Sequence, residues 1–379
     1  MKYTIIGAGI GGLTTALAFE KKGIEYEIFE KAPKLTDVGA GIWLAPNALQ
    51  VFEYLYVLND IKSAGNSINQ ITIGKADLSP LSDTHQDSIQ KKFGYSTIAI
   101  HRAELQKVLA RKIPHEKLHF DKGFKSFEEI INSKIKITFE DNATIETDYL
   151  IGADGINSKV RNQLFPNSTI RYSGQTCWRG VADIDLPTTY EHKAFELWGN
   201  QIRFGISKIA QNKVYWFAVA LAEQNQKDDA TTIQDKLVDM YTEFHPLVTE
   251  IITATPINKI LRNDINDLKP LKKWHKNNCC LIGDAGHATT PNMGQGGGQA
   301  IEDAYYLSNL IEKNPNENIF ELFQQKRQAK VNTIVKQSWT TGQLAHWKYG
   351  TGFRNFLLKN MPKKLLEKKM LEMYHIEQY

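Results

Sequence analysis

The chain has 379 residues, 42% of them hydrophobic and 23% charged, enough to bury a large core and to form two or three domains. Its formal net charge of +4 is small for that length and gives no electrostatic support to a nucleic-acid partner. No run approaches the ~18 apolar residues of a membrane span, and Cys177, Cys279 and Cys280 form neither a disulfide framework nor a CxxC pair for metal or redox work, which fits a reducing, cytoplasmic setting.

The opening residues predict a strand over Tyr3–Ile6, a glycine turn and a helix from Gly11 to Lys22, which Gly23 is placed to end. A second strand follows, with Tyr26, Ile28 and Glu30 alternating against Glu27 and Phe29. This βαβ beginning implies a parallel sheet packed under helices. Helices are expected from Pro46 to Tyr56 and from Arg102 to Ile113. From Tyr172 to Val219 the texture changes to aromatic and β-branched runs with turn-like breaks. Ile202–Ile206 and Val214–Phe217 read there as a hairpin of an antiparallel sheet, turning at Ala210–Asn212. A helix is expected over Thr232–Phe244, and parallel-sheet texture returns at Cys279–Ile282. The chain is therefore α/β, with one Rossmann-type domain interrupted by insertions that build a second, mostly antiparallel β domain.

Three motifs point to a dinucleotide. Gly7-Ala8-Gly9-Ile10-Gly11-Gly12 contains GxGxxG between the first strand and helix. Gly7 permits the tight turn, Gly9 lets a pyrophosphate approach the backbone, and Gly12 lets the helix pack closely. Glu30 stands 19 residues past Gly11, where a carboxylate binds a ribose diol and repels a 2′-phosphate, so FAD or NAD is favoured over NADP. The second motif is Gly152-Ala153-Asp154-Gly155 at a strand end, with Ser158 and Arg161 on the next helix. The third is Gly283-Asp284 after the Cys279–Ile282 strand. It continues through His287 and Pro291 to Gly294-Gln295-Gly296-Gly297, before a helix expected to start near Gln299. Asp284 suits a polar ligand such as a ribityl hydroxyl, and the glycines leave N–H groups at a helix N-terminus, where negative charge is stabilised. Taken singly, Asp154 and Asp284 also read as capping residues beside turns.

With these marks, nearly the whole chain resembles the single-component, FAD-dependent aromatic hydroxylases typified by p-hydroxybenzoate hydroxylase. Arg171–Arg179 and Lys336–Trp339 are similar to members that hydroxylate 2-alkyl-4-quinolones, and Gly286–Pro291 to members that hydroxylate urate. The resemblance implies a GR2-like FAD-binding domain from 1–70, 98–170 and 268–345. It implies a substrate domain from 71–97 and 171–267, and C-terminal helices over 346–379. It also implies that NADH or NADPH binds transiently as reductant. O2 then forms a flavin C4a-hydroperoxide that oxygenates a small aromatic or heteroaromatic ring.

By the same pattern Arg102, Gln106, Asp154 and Asp284 contact FAD, and Pro291 with Gly294, Gln295, Gly296 and Gly297 lies along the flavin's reactive edge. Arg203 and Tyr215 match the functional Arg and Tyr of urate-hydroxylating members, to hold an anion and to orient a ring or move a proton. Each also reads as an ordinary sheet residue. Trp43, Trp178, Trp198 and Phe217 are candidate pocket walls, with core packing the favoured role for any one. His287 is expected to hydrogen-bond within its loop.

Other readings are a flavin halogenase or reductase, which the lack of a WxWxIP signature disfavours, an enzyme that inactivates an antibiotic-like substrate, and a non-catalytic relative of the fold. Monomer and homodimer stay equally open, and no metal site is expected. From Trp347 onward lysines alternate with Phe and Leu in one or two basic amphipathic helices. A tail closing over the cofactor domain with a solvated basic face is favoured there over contact with an anionic membrane surface.

Overall fold

The computed structural model describes residues 1–35, 39–314 and 317–379. Strand Lys2–Ile6 lies inside a six-stranded sheet, between Tyr149–Gly152 and Glu25–Phe29. Cys279–Leu281 continues it on one side and Leu118–His119 on the other, all parallel, with His275–Lys276 as an antiparallel edge. The three motif-bearing strands are thus adjacent, so all three loops emerge at one sheet end. That is where an open α/β sheet binds its ligand.

Helix Ile10–Lys22 returns the chain over this sheet, and Gly23 ends it at φ 66° as expected. Helix Gly296–Lys313 packs along it. A Cβ on Gly11 would lie 3.2 Å from the Ala300 Cβ, and one on Gly283 2.9 Å from the same atom. Two small residues therefore let the first turns of both helices and the end of strand Cys279–Leu281 converge. The second helix begins three residues earlier than expected. Gly296 and Gly297 are its first turn, because its opening N–H groups need no side chain where they face a ligand. The helices at Pro46–Tyr54, Arg102–Ala110 and Ile233–Met240 end two to four residues short of the sequence reading. Tyr56, just past the first of these, sits at φ 59°, which helix cannot continue through.

A seven-stranded sheet stands beside the first. Its order is Leu261–Leu268, Ile170–Ala182, Lys213–Leu221, Ile202–Ala210, Lys193–Trp198, Gln70–Lys75 and Pro80–His85. The hairpin forms with Gln211-Asn212 at its tip, Asn212 at φ 52°. Strand alternation gives this sheet two faces. Phe204, Ile206, Trp216, Ala218 and Trp178 point one way, into a core closed by helices Ile233–Met240 and Pro246–Thr253. Arg203, Ser207, Tyr215, Phe217, Cys177 and Arg179 share the other face, since Arg203 is opposite Val219, Ser207 opposite Tyr215, and Arg179 opposite Phe217. Trp178 is thereby a core residue of the far side, its indole donating to Asp228 at 2.6 Å.

Helix Ile319–Ala345 ties the halves together. Its Arg327 is buried, donating from Nε to Asp303 Oδ1 at 2.9 Å and from Nη2 to Gln299 Oε1 at 2.8 Å, and it pairs with Glu302. Lys330 supplies Glu302 with two further bonds of 2.8 and 2.9 Å. Asp303 in turn accepts from the Gly283 N–H at 2.9 Å and meets His287 Nε2 at 2.6 Å. Burial alone would raise the Asp303 carboxyl, but the neighbouring His287 and Arg327 bring it down to about 2 from an ordinary 3.8. The His287 side chain, expected to hydrogen-bond within its loop, instead ties the loop to helix Gly296–Lys313.

Removing Arg327 leaves two carboxylates buried without their main cation. Arg327→Met should lower the unfolding free energy by about 3–5 kcal/mol in urea titrations. Because the folded value of Asp303 lies below its unfolded value, its contribution is intact above pH 4 and fades as pH falls toward 2. Urea midpoints measured down that range should drop more steeply in the parent than in Asp303→Asn.

Candidate active site

The glycine turn is shaped for something pressed against its backbone. Gly7 stands at φ 106°, and a Cβ on Gly12 would lie 1.9 Å from the Gly7 carbonyl oxygen, an impossible contact. Among the described residues nothing lies within 4 Å of a Cβ on Gly9, so that flank is open to a ligand. Gly7 N–H donates to Phe29 O at 2.7 Å and Ala153 N–H to Ile6 O at 2.8 Å, which knits the turn to the neighbouring strand ends. Glu30 follows directly after strand Glu25–Phe29. Its carboxylate accepts from the Ala8 N–H at 2.7 Å and the Ala32 N–H at 3.0 Å, so the turn and the acid are held as one unit.

Gln106 joins them from helix Arg102–Ala110, its amide 3.4 Å from Ala8 O. Arg102, first residue of that helix, is drawn below its ordinary pKa by desolvation, opposed by Asp284 and reinforced by Arg179. Those three charged groups therefore gather in one place, with Asp284 itself exposed. Asp284 also faces Gly296, whose Cβ would be 3.9 Å from its Oδ1. Gly294 takes φ 61°, turning the chain from Pro291–Met293 into the helix. Gln295 is buried, its Oε1 accepting from Asn47 and Gln299 at 3.0 Å each, so that oxygen is committed to the protein. Gly297 lies against Ile42.

Asp154 behaves differently. Its Oδ1 accepts from Ser158 Oγ at 2.5 Å, and its Oδ2 from the N–H groups of Lys159 and Val160 at 2.8 and 3.2 Å. The carboxylate thus caps helix Lys159–Leu164. Arg161, on that helix, donates to Ala285 O at 3.2 Å and Ile156 O at 2.7 Å, and so bridges the second motif to the third.

Opposite the Pro291 turn stands the Arg203 face of the large sheet. Arg203 is 2% exposed. Its Nη1 donates to Glu196 at 2.9 Å, and its Nη2 to Asn292 Oδ1 at 2.7 Å and Gln175 Oε1 at 3.4 Å. Asn292 in turn donates to Thr290 Oγ1 and Ser338 O, and Ser338 Oγ donates to Thr290 O at 2.6 Å. Gly342 makes room for Asn292: a Cβ there would be 2.3 Å from its Nδ2. The Ser338 stretch noted in the sequence is thus the clamp that seats the Pro291 turn, while Trp339 stacks on Arg171 at 4.2 Å.

Tyr215 lies four strand positions from Arg203 by register, roughly 13 Å away, so the two share a face without touching. Its ring packs on the Gly41 backbone, and no protein group among the described residues hydrogen-bonds its hydroxyl. Burial, with Cys177 adding, pushes that hydroxyl well above the ordinary tyrosine value. Phe217 sits 6.0 Å from Tyr215 and 6.3 Å from Trp43, over the space that Gly205 leaves. Trp43 and Phe217 accordingly join the site face. Trp198 belongs to that face too, but Arg354 covers it at 5.2 Å.

Arg179 is the residue that sequence reasoning passed over. Its Nε is buried without a hydrogen-bond partner, and its charge acts on Tyr215, Cys177 and Arg102 alike. The signal lay in its strand position opposite Phe217, which only the sheet register reveals. Cys177, Cys279 and Cys280 are free and buried.

The described residues fit a flavin dinucleotide: an open glycine cradle backed by Glu30, two converging helix N-termini, and an aromatic sheet face beyond. A family description, FAD binding domain, matches residues 1–338. The chain belongs to that family. It is 35% identical to aurachin C monooxygenase/isomerase of Stigmatella aurantiaca, over 90% of this chain and 89% of that one. It is 31% identical to 2-heptyl-3-hydroxy-4(1H)-quinolone synthase of Pseudomonas aeruginosa, over 96% and 94%. Among solved structures, HpxO of Klebsiella pneumoniae complexed with FAD and uric acid matches at a TM-score of 0.90 and 23% identity, covering 99% of this chain and 96% of that one. FAD is therefore the cofactor of this protein, and its class is that of the aromatic-hydroxylase-type monooxygenases.

Gly12→Ala should yield a folded but colourless protein, since the methyl group drives into the Gly7 carbonyl and opens the cradle. Flavin released on denaturation, per mole of protein, measures this. Retention of a full equivalent would show that the turn does not hold the cofactor.

Proposed function

We propose that the chain hydroxylates an aromatic or heteroaromatic small molecule, using FAD, O2 and NADH or NADPH. The observation that carries this reading is the 2.7 Å bond from Arg203 to Asn292. It seats an aromatic sheet face against the glycine turn that opens helix Gly296–Lys313. FAD, when bound and reduced, would supply the electrons that activate O2 as an electrophilic oxygen donor, so the protein's task is positioning, charge and exclusion of water.

In this reading Gly7, Gly9, Gly11 and Gly12 cradle the pyrophosphate, Glu30 faces the ribose, and Arg102, Gln106 and Asp284 complete the grip. Asp154 serves through the backbone it organises. The N–H groups of Gln295, Gly296 and Gly297 stabilise negative charge at the helix N-terminus, while the Gly294 N–H closes the Pro291 turn on Pro291 O. Tyr215 keeps its proton throughout the neutral range, so its hydroxyl donates to an oxygen of the ring substrate and orients it. Trp43 and Phe217 form walls. Arg203, whose Nη atoms bond Glu196, Asn292 and Gln175 while its buried Nε has no partner among the described residues, is a positioning residue for the Pro291 turn. Residues 1–70, 98–170 and 268–345 then make the FAD-binding domain, 71–97 and 171–267 the substrate domain, and 346–379 the tail. The buried thiols favour a cytoplasmic location.

The first substrate class to test is a 4-quinolone, the class named in the 31%-identical relative, whose match spans 96% of this chain. Purified protein should be yellow, and a 4-quinolone should accelerate NADH or NADPH oxidation with oxygen uptake and a product heavier by one oxygen atom. A colourless protein that cannot take up FAD would sink the proposal. Tyr215→Phe should keep its flavin while product formation falls about tenfold or more. Unchanged product formation would remove Tyr215 from the site.

A further inference from the structure

Helix Thr351–Lys359 is mounted with an apolar stripe outward. Upstream of residue 347, exposed large apolar side chains are scattered, at positions such as Tyr56, Ile131 and Met240. Between Trp347 and Leu365 there is a cluster. In helix Thr351–Lys359, Phe353 and Phe356 are 60% and 61% exposed and Leu357 46%. These positions are three and four residues apart and share one helix face. Arg354 fixes the opposite side: it is 1% exposed, donates to Ala345 O at 2.7 Å, and covers Trp198. A helix that served only to close the fold would turn its Phe–Phe–Leu stripe inward.

The following helix, Lys363–Tyr374, turns Met370, Leu371 and Met373 to the body and adds lysines outside. Tyr374 is buried in a cluster with Ala45 and Ile89, which holds this helix to the body. Met361 and Leu365 stay exposed, as do Lys364, Lys368 and Lys369. Residues 347–374 contain seven Lys or Arg against two acids, Glu367 and Glu372, a formal charge of +5. The whole chain carries +4, so the remainder carries −1. Even without the buried Arg354 the segment carries +4, so the chain's whole positive excess lies in this one segment.

That pairing selects the occupant. A second copy meeting the stripe about a two-fold axis would bring +5 against +5. An anionic bilayer satisfies both features at once: it takes the apolar side chains below its headgroups and draws the lysines to its surface charge. Trp347 and Tyr349, both exposed beside the stripe, suit the interfacial zone.

We propose that helices Thr351–Lys359 and Lys363–Tyr374 form an in-plane docking surface for an anionic lipid bilayer, with Phe353, Phe356 and Leu357 inserted and Lys359, Lys364, Lys368 and Lys369 at the headgroups. The sequence alone favours a solvated basic face over this reading. The burial of Arg354 reverses that preference by fixing which side of the helix looks out. The surface is independent of the hydroxylation reading, because none of these residues belongs to the candidate active site.

Co-sedimentation of the full-length, FAD-loaded protein with vesicles tests it. Vesicles of mixed phosphatidylcholine and phosphatidylglycerol should pellet the protein at low salt, pure phosphatidylcholine far less, and added salt should weaken the binding. Phe356→Ser with Leu357→Ser should cut the affinity by about tenfold or more, while flavin content and thermal midpoint stay unchanged. Lys364→Glu with Lys368→Glu should abolish the preference for anionic vesicles. No pelleting with either vesicle overturns the proposal. So does equal binding by the serine variant, or a dimer in light scattering that this variant splits while vesicles bind neither form.

Discussion

A buried cation organises the cofactor half of the molecule. Arg327 lies where a charge has no water, so its partners must be supplied by protein, and they come from little more than one turn of one helix: Gln299, Glu302 and Asp303. Asp303 passes the constraint on to the Gly283 N–H and to His287. The strand end that carries Asp284 is thereby locked to the helix whose first turn is Gly296–Gly297. The exposed Asp284 carboxylate and the first turn of that helix are held in place by this buried network.

The other half is positioned by parity. Because strand side chains alternate, the same hairpin can bury Phe204 and Trp216 behind the sheet and present Arg203, Tyr215 and Phe217 in front. The two halves meet at Asn292, which bonds Arg203 on one side and Ser338 on the other. The junction is polar and fully hydrogen-bonded on the Asn292 side, which specifies one relative placement in a way that apolar packing alone would not.

Much of the cofactor half is legible in the sequence because its signals are local. A glycine turn between a strand and a helix, with an acid at the next strand's end, describes backbone geometry over some thirty residues, and the structure joins Glu30 to Ala8 directly. Asp154 shows where such reading meets a competitor: the same residue type caps a helix as readily as it serves a ligand, and here it caps. The helix start at Gly296 was obscured by the poor intrinsic propensity of glycine, which its place at an N-terminus overrides. The substrate face is another matter. Which side of the sheet Trp178 or Arg179 occupies depends on cross-strand register, and the Arg203–Asn292 contact joins residues 89 positions apart. No local pattern encodes either.

The three cysteines were first of interest for what they exclude, and their burial has a separate consequence. Desolvation raises all three thiols, Cys279 to about 12, Cys280 well above its ordinary value, and Cys177 as well, beside the site face. A flavin oxygenase that consumes reductant without a ring to attack releases hydrogen peroxide, whose reaction with cysteine requires the thiolate. Held protonated and out of solvent, these side chains offer it no nucleophile, so the protein is protected by its own packing against the by-product of its idle cycles.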